Sequence, residues 1–540
     1  MIQALVLVLA QTGADAWTSP GRTPAATRYA EFDEINTANI QRLAPKWIKQ
    51  VNGANRLAAT PLVRDGLMYA TGSANLAFAL DVLTGREIWR HQTPVPPGVQ
   101  GCCGSVNRGF ALAGDKLFKV TFEGTLVALD AKSGQKLWET TIADYKLGYS
   151  ATAAPLIAGN KVITGIAGAE FGTRDFLDAY SITTGERLWR FWTIPGPGEP
   201  GGETWPRTGK HADAWLRGGA STWVTGSFDP ELNLIYWGTG NPGPDMNGSV
   251  REGDNLYSCS VIAVDASTGK IRWHYQFTPH DVHDWDATED MVLADLTING
   301  KLVKALLHAD RNGFYYTLDR TNGKLLNAKA YTKVSWATGI GTDGRPILVP
   351  GQDPTEEGNK ACPGLGGGHN WQPTAFSPRT GLYYFGSTDG CHLFYQTEHE
   401  YITGQWYQLS TVGGVPHEEM SGSVVAVDPN LTLAPCVLLM VPHVFNLVFT
   451  PQNEGELKVL AVTTRGAWLT ETTMVTRDSP TSRSRFDLTG IWYDPATNGS
   501  GLTFVHAAPR NDAVFGTWFL YDAQRNPRWY TIQNVFWKPG

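Results

Sequence analysis

Ala79-Leu-Asp-Val-Leu-Thr-Gly-Arg-Glu-Ile-Trp89 is the stretch that decides the fold, because its pattern returns along the chain. The pattern is Ala-x-Asp, two residues, Thr or Ser followed by Gly, three residues, then Trp. It recurs as Ala128 to Trp138, Ala179 to Trp189 with Ser181 in place of Asp, and Ala263 to Trp273, with weaker copies from Thr317, Ala375 and Ala426. The starts are separated by 49, 51, 84, 54, 58 and 51 residues, a period close to that of propeller blades with one long insertion. Each copy reads as a strand, a Gly turn and a second strand, with the closing Trp placed to wedge between neighbouring blades. A helical solenoid would need amphipathic runs at 3.6-residue spacing, and none occurs. The reading is an all-β propeller.

Composition agrees. The chain has 540 residues with 42% hydrophobic content, so a sizeable core can be buried, and its 59 Gly, 32 Pro and 20 Trp suit many short strands joined by tight turns. A net charge of -7 and no Lys/Arg cluster interleaved with aromatics argue against a nucleic-acid partner. Residues 1–16 read as a secretory signal without its charged start: an apolar run, then Ala14-Asp-Ala16 before Trp17. No run is long enough to span a membrane as a helix, so the expected location is the periplasm or outside the cell. The insertion Pro195 to Trp223, rich in Pro, Gly and Trp, reads as an ordered functional loop rather than a linker.

Cys102 and Cys103 are adjacent in Gly101-Cys-Cys-Gly104. A disulfide between them would close a strained eight-membered ring, a flat plate for a planar ligand; the alternative is two reduced neighbours. Cys362 and Cys391 flank a strand-turn-strand segment and are expected to pair across it. Cys259 reads as an inert core thiol and Cys436 as free. Cys-x-x-Cys-His is absent from the sequence, so it carries no c-type haem.

The Cys pair, the Trp-ended repeats, Gly168-Ala-Glu-Phe-Gly172, Gly238-Thr-Gly-Asn-Pro242 and Thr278-Pro-His-Asp-Val-His-Asp-Trp-Asp286 together resemble the quinoprotein alcohol dehydrogenases, which use pyrroloquinoline quinone (PQQ). The resemblance runs from about Trp17 to Pro429. It implies an eight-bladed propeller that oxidises an alcohol and passes electrons to a separate acceptor, a cytochrome c or a quinone-linked protein. It also implies a Ca²⁺ or lanthanide site from Glu170, Asn241 and Asp284, oxygen donors suited to a hard cation. Asp284 would double as general base, and Arg311 would steady negative charge on the quinone oxygen. Trp223 below and a Cys102–Cys103 disulfide above would sandwich the cofactor. Arg108, Thr152, Gly168, Ala169, Ser221, Asn370 and Trp371 fall where the family contacts it. Asp286, two residues after the base, stands where an aspartate accompanies lanthanide use.

Two substitutions depart from the family: Ala58 replaces a glutamate at the cofactor rim, and Ala167 a small hydroxyl residue or glycine. The larger departure is the end. After Asp428 the repeat dissolves, giving a propeller over 17–430, an atypical closing or linking segment over 431–485, and a small Trp/Tyr-rich β module over 486–540. The rival readings are a non-catalytic propeller scaffold of the outer-membrane assembly type, which has no reason to keep these residues together, and a decayed or fused enzyme.

Overall fold

The computed structural model describes residues 16–430 apart from 37, 44, 299, 417 and 419, and beyond 430 the backbone of eight strands. The signal segment, the side chain of Cys436 and those of the C-terminal module lie outside the described residues. The chain divides into two compact units, one of residues 1–34 with 44–440, the other of 35–43 with 441–540. No α-helix occurs among the described residues, only short 3₁₀ turns.

The first unit holds six four-stranded antiparallel meanders. Their strands are Leu62–Arg64, Leu67–Thr71, Ala77–Asp81 and Glu87–His91 in the first sheet; Ala111–Ala113, Lys116–Val120, Thr125–Asp130 and Lys136–Thr141 in the second. The third has Leu156–Ala158, Lys161–Gly165, Phe176–Ser181 and Arg187–Trp192; the fourth Ser227–Asp229, Leu234–Gly238, Ser260–Asp265 and Ile271–Gln276. The fifth has Val292–Ile298, Lys301–Ala309, Phe314–Asp319 and Lys324–Ala330; the sixth Ala375–Ser377, Leu382–Asp389, Ser421–Val427 and Cys436–Val441. A two-stranded and a three-stranded sheet sit in the long excursions before and within the sixth.

Each pair of successive sheets shares one apolar cluster. Leu62, Ala77 and Ala79 pack on Leu117, Val127 and Leu129; Phe118 and Ala128 on Val162 and Tyr180; Ile163 and Ala179 on Ile235 and Val264. Val261 and Ala263 pack on Leu306 and Tyr316, and Leu307 and Tyr315 on Tyr383 and Val425. From the second sheet to the sixth, first strands of adjoining sheets also touch. The sheets therefore stack face to face around an axis lined by their first strands, as in a propeller.

The repeat has a physical reason at each position. Register shifts by one residue at Ala79, Ala128, Ala179, Ala263 and Thr317, so in the first five sheets the motif starts where the third strand bulges. The Asp two residues on accepts turn N–H groups, as Asp81 does from Leu83 (3.1 Å) and Thr84 (2.9 Å). The motif Gly takes a positive φ, 70° at Gly134, and an added Cβ there would come within 2.5 Å of Trp89. Trp138, Trp189 and Trp273 lie likewise against Gly185, Gly269 and Gly323 of the following sheet, and Trp89 Nε1 donates to Ala131 O at 2.9 Å.

The weak copy from Ala375 is a different hairpin. It lies on a first strand, with Gly381 turning into the second, whereas the other copies start on third strands. A Thr-Gly turn serves either connection, so its chemistry alone does not tell them apart.

The Pro195–Trp223 insertion is ordered by two 3₁₀ turns, Gly202–Thr204 and Ala214–Arg217, around Trp205, which is 3% exposed and donates to Leu256 O. Cys362 and Cys391 are bonded, with Cα atoms 4.4 Å apart. Cys259 is a buried free thiol, as expected. The second unit comprises a three-stranded sheet (Phe445–Asn453, Glu456–Thr463, Glu471–Val475) and a four-stranded one (Gly490–Tyr493, Gly501–Ala507, Ala513–Tyr521, Pro527–Phe536).

Candidate active site

In an antiparallel meander, the loop arriving at the first strand and the loop from second to third strand open at the same end. The expected residues occupy these two loop types. Cys102, Cys103, Arg108, Thr152, Ser221, Trp223, Asp284, Asp286, Asn370 and Trp371 precede first strands; Glu170, Asn241 and Arg311 follow second strands. All thirteen line one cavity of about 360 Å³.

Gly168 and Ala169 do not line it. They build the 3₁₀ turn that presents Glu170: a Cβ on Gly168 would meet Gly148 O at 2.8 Å, and Ala169 N donates to Ser221 Oγ at 3.3 Å. Ser221 Oγ in turn hydrogen-bonds the buried Asp175 carboxylate, which also accepts from Thr173 Oγ1 at 2.6 Å.

The anticipated Cys102–Cys103 bond is not formed. The Sγ atoms lie 2.9 Å apart as two thiols, beyond the roughly 2.05 Å of a disulfide; closing the gap would force the strained ring. The pair is asymmetric. The hydrogen bond from Cys102 lowers the Cys103 thiol to about 6, helped by Arg108 and Arg311, while the same bond and burial push Cys102 up.

Asp286 sits at the centre of the wall. Its Oδ1 accepts from Asn241 N (2.7 Å), and its Oδ2 from Trp223 Nε1 (3.0 Å) and Arg311 Nη1 (2.5 Å). Three donors use three of about four lone-pair sites, so Asp286 is first an anchor for the indole and the guanidinium. One site on Oδ1 is left for a cation.

Asp284 has a left-handed φ of 59°, an uncommon choice for a non-glycine residue. Its Oδ1 lies 3.6 Å from Arg311 Nη1. Burial raises its pKa well above the usual range despite Arg311, with Asp286, Asp245 and Glu170 adding to the rise. Glu170 is pushed up to about 7, chiefly by burial and further by Asp286. Asp245, fully buried, is also raised to about 7, by burial and then Glu170, with the side-chain amides of Gln408 and Asn241 beside it acting the other way.

Arg108 has the opposite problem. Its guanidinium lies over the Trp223 ring at 4.5 Å and the Trp371 ring at 5.4 Å, and its hydrogen bond to Trp223 O is long, 3.5 Å. Its Nε has no partner, and burial lowers it to about 10.

The cavity thus sets one guanidinium, Arg311, against three carboxylates, Glu170, Asp284 and Asp286, at one end, and has no carboxylate paired with Arg108 at the other. A planar acid together with a polyvalent cation fits both deficits, with the Trp223 face as a stacking surface. Glu170, Asn241, Asp284 and Asp286 would hold the cation. Glu170, Asp284 and Asp286 are not drawn together to coordination spacing; among the described residues the acidic or His cluster that is lies elsewhere, at Glu289, His308 and Asp310.

Arg56, Ser150 and Phe122 also line the cavity but carried no sequence signal. Arg56 hydrogen-bonds Cys103 O beside Ala58, so a cation stands near the rim that lost its glutamate. Asn370 Nδ2 donates to Gly366 O at 2.9 Å, fixing the loop that carries Trp371.

Residues 17–346 match the family model described as glucose/ethanol/alcohol dehydrogenase, beta-propeller domain, of the PQQ type. The quinoprotein alcohol dehydrogenase PedH of Pseudomonas putida is 36% identical over 510 residues, covering 88% of this chain and 84% of that protein. The quinohemoprotein alcohol dehydrogenase ADH IIB of the same species is 39% identical over 445 residues; these cover 79% of this chain but 64% of ADH IIB. A europium-containing methanol dehydrogenase superposes with a TM-score of 0.73 at 30% identity, over 94% of this chain and 90% of its own. The chain belongs to the PQQ-dependent alcohol dehydrogenase family.

Proposed function

We propose that this protein oxidises an alcohol to the aldehyde with bound PQQ and a Ca²⁺ or lanthanide ion, on an eight-bladed propeller. The observation that carries the reading is one cavity with three carboxylates against a single guanidinium at one end and Arg108 without an acidic partner at the other. When bound, PQQ supplies the two-electron acceptor and the cation a Lewis acid beside it.

The chain's own residues do the rest. Asp284, whose backbone is left-handed at the cavity, takes the alcohol proton; Arg311 favours its ionised form against the burial that raises it, and a bound cation would add to this. Asp286 pins Arg311, so the guanidinium is positioned to steady negative charge without fully neutralising Asp284. Trp223 and the Cys102–Cys103 shelf bound the two faces, and Arg108 pairs with an acid group of the cofactor.

A periplasmic location and a separate electron acceptor, a cytochrome c or a quinone-linked protein, complete the proposal. The apolar start of the chain and the Cys362–Cys391 bond support the former; no helix of the described residues is long and apolar enough to cross a membrane. The lanthanide is favoured because Asp286 adds one free carboxylate lone pair to three other ligands.

The test is reconstitution of the purified chain with PQQ plus either La³⁺ or Ca²⁺, followed by alcohol-dependent dye reduction. Activity in neither case would overturn the enzyme reading. Equal or better activation by Ca²⁺, unchanged in Asp286→Ala, would remove the lanthanide preference.

A further inference from the structure

Beneath the cavity wall, three side chains aim lone pairs at one point. His308 and Asp310 end the second strand of the fifth sheet, and Glu289 leads into its first strand. All three are essentially without exposure. His308 Nδ1 faces Asp290 O at 3.3 Å, and only a protonated nitrogen can donate to a carbonyl. Nε2 hydrogen-bonds Asp310 Oδ2 at 3.1 Å and lies 3.9 Å from Glu289 Oε2. A neutral ring has one N–H to give, so it serves Asp290 O or Asp310 but not both.

Glu289 stands outside this hydrogen bonding: no other side chain among the described residues donates to either of its oxygens, while the other Asp310 oxygen is taken by Asn312 N at 2.9 Å. The nearest guanidinium, Arg311, spends Nη1 on Asp286 and Nη2 on Leu365 O, and its Nε has no partner. Two buried carboxylates therefore share at most the one proton of a neutral ring, and none of it reaches Glu289; a cation among the three groups would satisfy them all.

We propose that Glu289, His308 and Asp310 form a closed structural site for one divalent first-row metal ion, Zn²⁺ or a similar borderline cation. The donor atoms lie within 4.8 Å of one another, and a tetrahedral shell with bonds of about 2 Å needs them about 3.3 Å apart, so the three side chains would close in on the ion by up to about 1.5 Å. One carboxylate binding through both oxygens completes four ligands. Two carboxylates neutralise the ion's charge, and the Nδ1–H bond to Asp290 O is the outer contact that orients a ligating imidazole. Ca²⁺ is disfavoured, because it takes six to eight oxygens and three side chains without water cannot supply them. The ion ties the segment after Asp284 and Asp286 to the turn carrying Arg311, yet shares no ligand with the cation proposed beside PQQ.

The experiment loads the full chain, free of PQQ, with Zn²⁺ or Co²⁺, passes it through chelating resin and measures metal per chain. About one ion should remain in the parent and in Asp284→Ala, falling at least tenfold in Glu289→Gln, and the Co²⁺ form should show visible d–d absorption that Zn²⁺ abolishes. Loss of the ion in Asp284→Ala but not in Glu289→Gln would assign it to the other site and overturn the proposal. Should Glu289→Gln fail to fold, the parent decides. A parent that retains no Zn²⁺ and gives no Co²⁺ absorption would show that protons, not a metal, hold the three groups together.

Discussion

Replacing Asp286 with Ala removes the acceptor for three donors at once, and the largest consequence falls on Arg311, which is 7% exposed. Taking one partner from a buried ion pair costs about 3–5 kcal/mol, because the remaining charge stays buried without compensation. The lower end applies here, since Asp284 Oδ1, 3.6 Å away, takes over part of the interaction. The stranded Asn241 N–H and Trp223 Nε1–H face the cavity and recover some hydration, so they add little. An unfolding entropy of about 2.1 cal/mol/K per residue over the roughly 430 residues of the first unit converts about 3 kcal/mol into a fall of about 3 °C in Tm. Differential scanning calorimetry of the PQQ-free protein reads this directly. The mechanism makes a second demand: adding Arg311→Leu to Asp286→Ala should restore part of the loss, since it removes the stranded charge. A double-mutant cycle measures that coupling without requiring absolute stabilities. Asp286→Ala melting within about 1 °C of the parent, with no coupling to Arg311, would refute the anchor role.

Asp284→Ala in protein fully reconstituted with PQQ and metal should lose at least roughly 10²–10⁴ in turnover, the range of general-base catalysis; near-parental dye reduction would sink the assignment. Asp281, raised to about 7 from 3.8 mainly by burial, favours the protonated form in the fold. Its contribution to stability is therefore full below about pH 4 and lost as pH rises towards 7, so Asp281→Asn should flatten the fall in Tm across that window; an unchanged slope would exonerate it. Gly134→Ala should lower Tm, because the new Cβ meets Trp89 at 2.5 Å and the backbone φ is 70°; a calorimetric Tm equal to the parent's would show that the Trp–Gly contact yields freely.

The repeats were legible because a single contact, Trp of one sheet on Gly of the next, fixes two residue types at one spacing and is used again at each of four junctions from Trp89 to Gly323. Where only the turn chemistry survives, as at Ala375, the same letters mark another hairpin. The site was legible through resemblance more than through pattern, since its loops join only when the sheets stack. Arg56 and Asp245 show the limit: neither belongs to a motif, and each matters through a neighbour brought by the fold. Asp286 shows it most clearly. The sequence displays an extra carboxylate, which reads naturally as an extra metal ligand. Its three donors come from positions 25, 45 and 63 residues away, and only their convergence shows that most of its lone pairs are already committed. Any lanthanide preference at this position must therefore act through one remaining oxygen site, or through the charge that Asp286 withdraws from Arg311, rather than through a bidentate clasp.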